Sequence, residues 1–542
     1  MDRVSSADLA ARRLRNEAAL SEPGTDGVKQ HGGSRVASAA IILLVAYAGV
    51  RSVFNAAIHP LWFDELCAWF VVQQPNFHSV WAALLRGADS QAPLFYLFEK
   101  LCTHITTNDE VALRLPAAVG FCCMLGCSFL WLVRRYDGFI AVVASSILLI
   151  TPFFNRYAAE ARGYGLLGGA FGLALLAYQR APRLKWMFVL ALSLVAAESF
   201  HFYAVIMMAP LFAAEFVFAL KLKRFRWQVW AALFCVVLPL IVYRPIVVSM
   251  KSYYTEHSWM HPAFFPTLRI YGWLLGIPRG ETGVFPWLEA AWLSVSAILL
   301  SVAALLIYRA MRADPKCEPH FHENVLASGF LLLPIVLFIM AKVAHALLAP
   351  RYLLLVSFGI VMVAAKGLCQ LNRRSLKLVG ALWFATIAVQ EAGFWLSYYG
   401  MYQLGFRQPQ PVQSLASKAG HAELPLVVSD GHDYLETEHY SAPEWKQRLT
   451  FVEDYRAALA HGRSDFNDKQ LLALRGLAPL RVIEYRTFKE NQTEFLVYSH
   501  PKDDNDPDWF VLRLLGDGWS VQKLVSDGPS TVYLVKLRDK KL

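Results

Sequence analysis

The chain has 542 residues, 56% of them hydrophobic and only 17% charged, with a mean hydropathy of +0.36. That balance excludes an ordinary soluble enzyme and points to a membrane protein with many spans. The net charge of +10 does not indicate a nucleic-acid partner, because much of it sits in short loops between apolar runs, where Lys and Arg set membrane orientation.

Residues 1–36 are polar and basic, with Arg12, Arg13 and Arg15, and are expected to form a flexible cytoplasmic tail. The first span is predicted at 37–54, and an external loop follows over 55–110. This loop holds two adjacent carboxylates, Asp64 and Glu65, between Trp62 and Trp69. A carboxylate pair beside a bilayer is costly to bury and marks a functional site. Asp64 equally has the character of an N-cap for a helix starting at Leu66. The loop ends in an apolar run, Pro93–Ile105, that is short of the roughly 20 residues a span needs and contains Glu99, Lys100 and His104. It is expected to lie at the interface.

Ten further spans are predicted at 111–133, 139–154, 164–179, 187–203, 204–220, 227–248, 285–307, 325–347, 350–370 and 376–398, which makes about eleven. With the N-terminus in the cytoplasm, the loops that fall inside contain Arg134 and Arg135, Arg180 to Lys185, Lys221 to Arg226, Arg309 and Arg312, and Arg373 to Lys377. All are basic, as the positive-inside rule requires. The C-terminus then lies outside, on the side of Asp64. Cys122, Cys123 and Cys127 fall within an apolar run and read as small buried hydrophobes. No cysteine lies beyond Cys369, so no disulfide framework is expected in the tail.

From residue 411 the pattern changes to short β-rich runs: Leu424–Ser429, Arg448–Val452, Arg481–Tyr485, Phe495–Tyr498, Phe510–Leu515, Val521–Val525 and Val532–Leu537. A helix is predicted at Asp468–Leu474, and turns at Asp517-Gly518 and Asp527-Gly528. Residues 411–542 are therefore expected to be an external, soluble α/β domain. Its patch of Asp430, His432, Asp433, Glu436, Glu438 and His439 reads as a solvated loop, with acceptor contact as the alternative. Cys317 to His322 has metal-like spacing but no fourth ligand.

The predicted topology puts four groups of polar and aromatic residues at one membrane face. These are Trp62, Asp64 and Glu65; Glu160, Arg162 and Tyr164; Glu198, His201 and Tyr203; and Lys342, His345, Arg351 and Tyr352. Each also has a structural reading. Glu160 and Arg162 can pair with each other, His201 can pack at the interface, and Lys342 can snorkel to headgroups. Lys342 and His345 are three apart and would share a helix face.

The run of Trp62-x-Asp64-Glu65, Pro93-Leu94-x-Tyr96, Leu113-Arg114-Leu115-Pro116, Glu160-Ala161-Arg162-x-Tyr164 and Pro350-Arg351-Tyr352-Leu353-Leu354 resembles the membrane-embedded glycosyltransferases of the GT-C superfamily. It is most similar to the branch related to protein O-mannosyltransferases and aminoarabinose transferases, which includes bacterial members that glycosylate lipopolysaccharide. The resemblance covers about 37–400, and a soluble external C-terminal domain also occurs in the superfamily. One departure is Gln91-Ala92-Pro93, where relatives often carry His or Lys before Pro-Pro.

The resemblance implies transfer of a hexose or pentose, with inversion, from a polyprenyl-phosphate donor to a lipid, glycan or protein hydroxyl, at the outer face of the plasma (inner) membrane. It makes Asp64 the base, with Glu65 and Glu160 as further catalytic carboxylates. Arg162, Lys342 and Arg351 become the cations for the donor phosphate. Trp62, Tyr96, Tyr164, His201, Tyr203, His345 and Tyr352 are the expected pocket residues. No resident metal is assigned, and a divalent cation (Mg or Mn) between carboxylate and phosphate is left open, as in some relatives. The residues fit this chemistry without the family: a sugar phosphate already has a good leaving group, so one base and a few cations suffice. The alternative is a transporter or flippase with an external sensor domain, but such proteins more often show internal repeats and midplane charges.

Overall fold

The computed structural model describes residues 33–254, 321–403, 411–462, 465–501 and 508–537, with isolated positions between 262 and 270. The expected span at 285–307, the loop carrying Arg309 and Arg312, residues 317–320 and nearly all of the N-terminal tail lie outside these residues.

The membrane region is helical. Among the described residues, seven helices are long and apolar enough to cross a bilayer: Arg35–Ile58, Asp109–Leu132, Ala204–Leu222, Trp227–Met250, His322–Val343, Pro350–Cys369 and Arg373–Tyr399. Shorter apolar helices lie at Gly138–Ile150 and Tyr164–Tyr178. The protein is thus an integral membrane protein.

Helix α1 (Gly33–Ile58) is followed by three short helices, α2 (Phe63–Val72), α3 (Phe77–Leu85) and α4 (Pro93–Thr103). The 11 residues of α4 would rise only about 16 Å, which keeps it from spanning. Its Lys100 is tied to the backbone carbonyl of Gln74. Helix α5 (Asp109–Leu132) begins at Asn108, whose side chain accepts from the Val111 N–H at 2.7 Å.

Helix α6 (Tyr164–Tyr178) packs on α5 with almost no side chain between the backbones. A Cβ on Gly165 would fall 2.1 Å from the Ala117 carbonyl oxygen, and one on Gly169 would fall 2.7 Å from that of Gly120. Small residues allow this close approach inside a membrane. Helix α7 (Leu184–Phe200) lies against α6. One end of α6 is Tyr164; the other is Tyr178, about 21 Å away along the axis. Tyr178 donates to Glu215, which also pairs with Arg226 of a basic loop. Arg135 of another basic loop reaches Glu323 at 2.9 Å.

The tail is a six-stranded mixed sheet in the order β3-β2-β1-β4-β6-β5, built from β1 (Leu426–Val428), β2 (Leu449–Glu453), β3 (Val482–Glu484), β4 (Glu494–Ser499), β5 (Ser520–Asp527) and β6 (Ser530–Lys536). The first four strands pair in parallel, and β6 and then the edge strand β5 continue the sheet antiparallel. Both faces of the sheet centre are covered. Val427, Phe495, Val497 and Val535 pack with Phe488, Phe510 and Leu514 on one face. On the other, Leu426, Val428, Leu496 and Leu534 join a core continuous with the membrane helices. Burial on both faces explains the unbroken apolar runs of β1 and β4.

Two sequence expectations change here. The run Phe510–Leu515, expected as a strand, is part of helix Trp509–Gly516. Asp508 caps it, accepting from the Phe510 N–H at 2.9 Å, and Phe510 and Leu514 bury one helical face. A short apolar run does not by its periodicity separate helix from strand. The Asp430-to-His439 stretch, expected as a loop, is helix α8 (Gly431–Tyr440), with Asp430 as its N-cap. Its polar residues read as loop because only one narrow face, with Tyr434, Leu435 and Thr437, is buried. Downstream, α9 (Phe466–Arg475) matches the predicted helix.

Candidate active site

Asp64 and Glu65 lie in the first turn of α2, not before it. Trp62 occupies the cap position, so the N-cap reading of Asp64 does not hold. Glu65 has the capping function instead, accepting from the Trp62 N–H at 3.2 Å. It is fully buried. Its carboxylate takes a forked contact from Arg114, 2.7 Å on the Nε side, and the Ala161 N–H at 2.7 Å. Arg114 also donates to the carbonyls of Ala56, His59 and Pro60 at 2.6–2.8 Å. This pair therefore joins the end of α1, the start of α2, α5 and the loop before α6.

Asp64 faces the other way, into a cavity of about 600 Å³. Its Oδ2 lies 2.7 Å from Arg162 Nη2, while Arg162 Nη1 contacts both oxygens of Asp89 at 2.9 and 3.1 Å. Arg162 and Asp89 are buried. Burial alone would raise the Asp64 pKa; the charges of Arg162 and Arg351 outweigh it and hold the carboxyl below its ordinary range. For Arg162, burial works against the charge, but Asp64 and Asp89 more than compensate and hold it firmly cationic.

The cavity collects residues from all four sequence-identified places: Trp62 and Asp64; Arg162 and Tyr164; His201 and Tyr203; Arg351 and Tyr352. Tyr352 lies 5.0 Å from His201 and 4.9 Å from Tyr203, ring centre to ring centre, and Tyr164 lies 5.4 Å from His201. Tyr203 is anchored by its hydroxyl to the Leu347 carbonyl. Its backbone N–H donates to His201 Nδ1 at 3.2 Å, which leaves the ring proton to Nε2.

Other expected members stand apart. The helix Phe321–Val343 ends before His345, whose φ of +49° breaks the shared face expected for it and Lys342. Both side chains are exposed, and the cavity is lined instead by Met340, Ala341 and Ala344. Tyr96 is buried behind the cavity, accepting from the Gln91 N–H at 3.3 Å. Glu160 does not pair with Arg162; it lies 3.5 Å from the exposed Arg156, and its Oε1 has no hydrogen-bond partner among the described residues. Burial, reinforced by Glu65, pushes its pKa up to about 7 against the pull of Arg156, Arg162 and Arg351.

Sequence reasoning missed Asp89, two positions before the noted Gln91-Ala92-Pro93. The only carboxylate in the loop 86–92 was the available signal. The tail reaches the site: His432, from the patch for which acceptor contact is only the alternative reading, lines the cavity, as do Phe466 and Asn467 of α9, which the sequence does not single out. Contacts between the two regions hold them there. His432 stacks on Phe63 with ring centres 4.5 Å apart, the Leu61 N–H donates to the Tyr440 hydroxyl at 2.7 Å, and Gln470 donates to the Ala88 carbonyl at 3.2 Å.

No protein-family model matches the sequence, and no curated protein sequence matches it. Structural similarity is extensive. The crystal structure of ArnT from Cupriavidus metallidurans bound to undecaprenyl phosphate aligns with a TM-score of 0.53 at 15% identity, covering 91% of this chain and 97% of that one. The apo structure of the same protein gives 0.54 and 15% over 92% and 98%. The Archaeoglobus fulgidus oligosaccharyltransferase, in complex with Zn and sulfate, gives 0.40 and 12% over 84% of this chain and 67% of its own. At this level of identity the ArnT alignments speak to architecture alone: the chain has the fold of ArnT.

Proposed function

We propose that this protein is a glycosyltransferase that moves a sugar from a polyprenyl-phosphate donor to an acceptor hydroxyl at the outer face of the membrane. The observation that carries this reading is a single cavity in which one carboxylate, Asp64, stands beside two guanidinium groups, Arg162 and Arg351, at the ends of apolar helices. The neighbouring ArnT was crystallised with undecaprenyl phosphate, a ligand of the same chemistry.

In this reading the acceptor oxygen attacks the anomeric carbon while the bond to the phosphate oxygen breaks. The acceptor proton passes to Asp64 and the electron pair leaves on the phosphate. Attack and departure on opposite sides of the carbon invert its configuration. The arginines stabilise charge that grows on the leaving oxygen, so they help the transition state more than the ground state. A forked guanidinium suits two phosphate oxygens. Arg162 shares its charge between Asp64 and Asp89, and Arg351 lines the same cavity. Once donor phosphate draws on these cations, Asp64 is less strongly held in its anionic form and becomes a better base. Glu65 acts as a positioning residue through Arg114.

A resident divalent cation does not suit the groups on display. Among the described residues no three His, Cys, Asp or Glu side chains converge, and the carboxylates of the site are engaged by arginine. No step is assigned to one. The proposed arrangement is about eleven spans over 37–400, the N-terminus in the cytoplasm and residues 411–542 outside.

The test is transfer of labelled sugar by the purified full-length protein from undecaprenyl-phosphate-linked sugars to an envelope extract of cells lacking it. Label moved only with the lipid-phosphate donors supports the reading. A wild-type protein that consumes none of them refutes it.

A further inference from the structure

We infer that the external α/β domain supplies the acceptor wall of the cavity, with His432 and Asn467 holding the hydroxyl-bearing, uncharged part of a glycan or similar polyol. This rests on the glycosyl-transfer reading above. The fixed cations of the lining, Arg162 and Arg351, both come from the membrane region, which also contributes Gln91 and His201, whereas the external domain contributes no fixed charge: an imidazole, an amide and the ring of Phe466. The phosphodiester of a polyprenyl-phosphate sugar calls for cations, which the imidazole and amide of the external wall do not supply. An amide and an imidazole both donate and accept hydrogen bonds, which is what a ring of hydroxyl groups requires.

The placement of these two side chains is built into the fold. Helix α8 starts at the carboxyl end of β1, beside which the chain order reverses: β2 and β3 extend the sheet to one side, β4 to the other. Such a reversal is where open α/β sheets form a crevice for ligands. Here it opens toward α2 of the membrane region. The first turn of α8 packs tightly on α9, because a Cβ on Gly431 would come within 3.1 Å of both Asn467 Cβ and Leu471 Cδ1. Glycine at 431 thus allows the close approach of the two helices, and His432 and Asn467 both line the cavity. The His432 ring lies 25° from the plane of Phe63, the residue before Asp64. A hydroxyl bound at His432 and Asn467 is therefore presented next to the proposed base.

The experiment separates the two walls in the full-length protein. Binding of undecaprenyl phosphate reports the cationic wall, and initial transfer rates against the concentration of envelope extract report the other. His432→Ala and Asn467→Ala are expected to bind undecaprenyl phosphate within about twofold of wild type, yet to need at least tenfold more extract for half-maximal transfer. The maximal rate falls less, and His432→Gln regains part of the loss. Arg351→Ala is expected to give the reverse pattern. Unchanged extract dependence in both alanine variants, or a tenfold loss of undecaprenyl phosphate binding in either, overturns the acceptor wall. A wild-type protein with no binding and no transfer overturns the glycosyl-transfer reading itself.

Discussion

Asp64 and Glu65 are neighbours in sequence, both acidic, both set against a buried arginine, and they belong to different parts of the molecule. One residue along a helix is a rotation of about 100°. That rotation turns Asp64 into a cavity and Glu65 into the scaffold. Glu65 and Arg114 have their hydrogen bonds distributed over three segments of backbone and touch no open space. Asp64 and Arg162 face a volume large enough for substrate. Ionic pairing alone thus does not identify a reactive carboxylate; the access of its free oxygens does.

The largest effect should come from breaking the scaffold pair. Arg114→Ala leaves Glu65 charged and buried, a loss of about 3–5 kcal/mol of stability. A lower melting temperature in detergent, or failure to accumulate, checks this. An unchanged melting curve would mean that the pair does not secure the helices.

Asp64→Asn should reverse the pattern: little change in melting, but a fall in turnover of roughly two orders of magnitude or more, the scale of a lost general base. Full activity in that variant would remove Asp64 from the chemistry. Next comes Arg351→Ala, expected to weaken donor affinity and rate together by roughly tenfold or more, with Arg351→Lys recovering only part because the fork is lost. Donor-dependent kinetics decide it.

A smaller effect concerns pH. Glu160 holds its proton more tightly in the folded state, at about 7 against 4.5 for an ordinary glutamate. The stabilisation is fully present below pH 4.5 and is lost as the pH rises through about 7. Melting temperature should therefore fall across that window in wild type and fall less in Glu160→Gln; parallel curves would show that Glu160 does not titrate there. The smallest effect is expected of Lys342→Ala, since that side chain points away from the cavity: transfer kinetics should match wild type.

The Asp64 and Glu65 pair was conspicuous in the sequence because charge is rare in an apolar chain. The same contrast exposed Arg162 and Arg351. Most expected strands also appeared where apolar runs met turn residues, as at Leu426–Val428 and Glu494–Ser499. Partners were not legible. Asp89 and Arg114 are 73 and 49 residues from the groups they bind, and no local pattern encodes a contact at that range.

By itself the sequence determined that this chain lives in a membrane and where most of its described apolar helices lie, because hydropathy acts residue by residue. Only the tertiary structure decided which carboxylate is open and which is locked, that Lys342 and His345 stay outside, and that His432 and Asn467 of the tail reach the cavity. Those outcomes depend on helix rotation and on contacts between distant segments, which packing sets and composition does not.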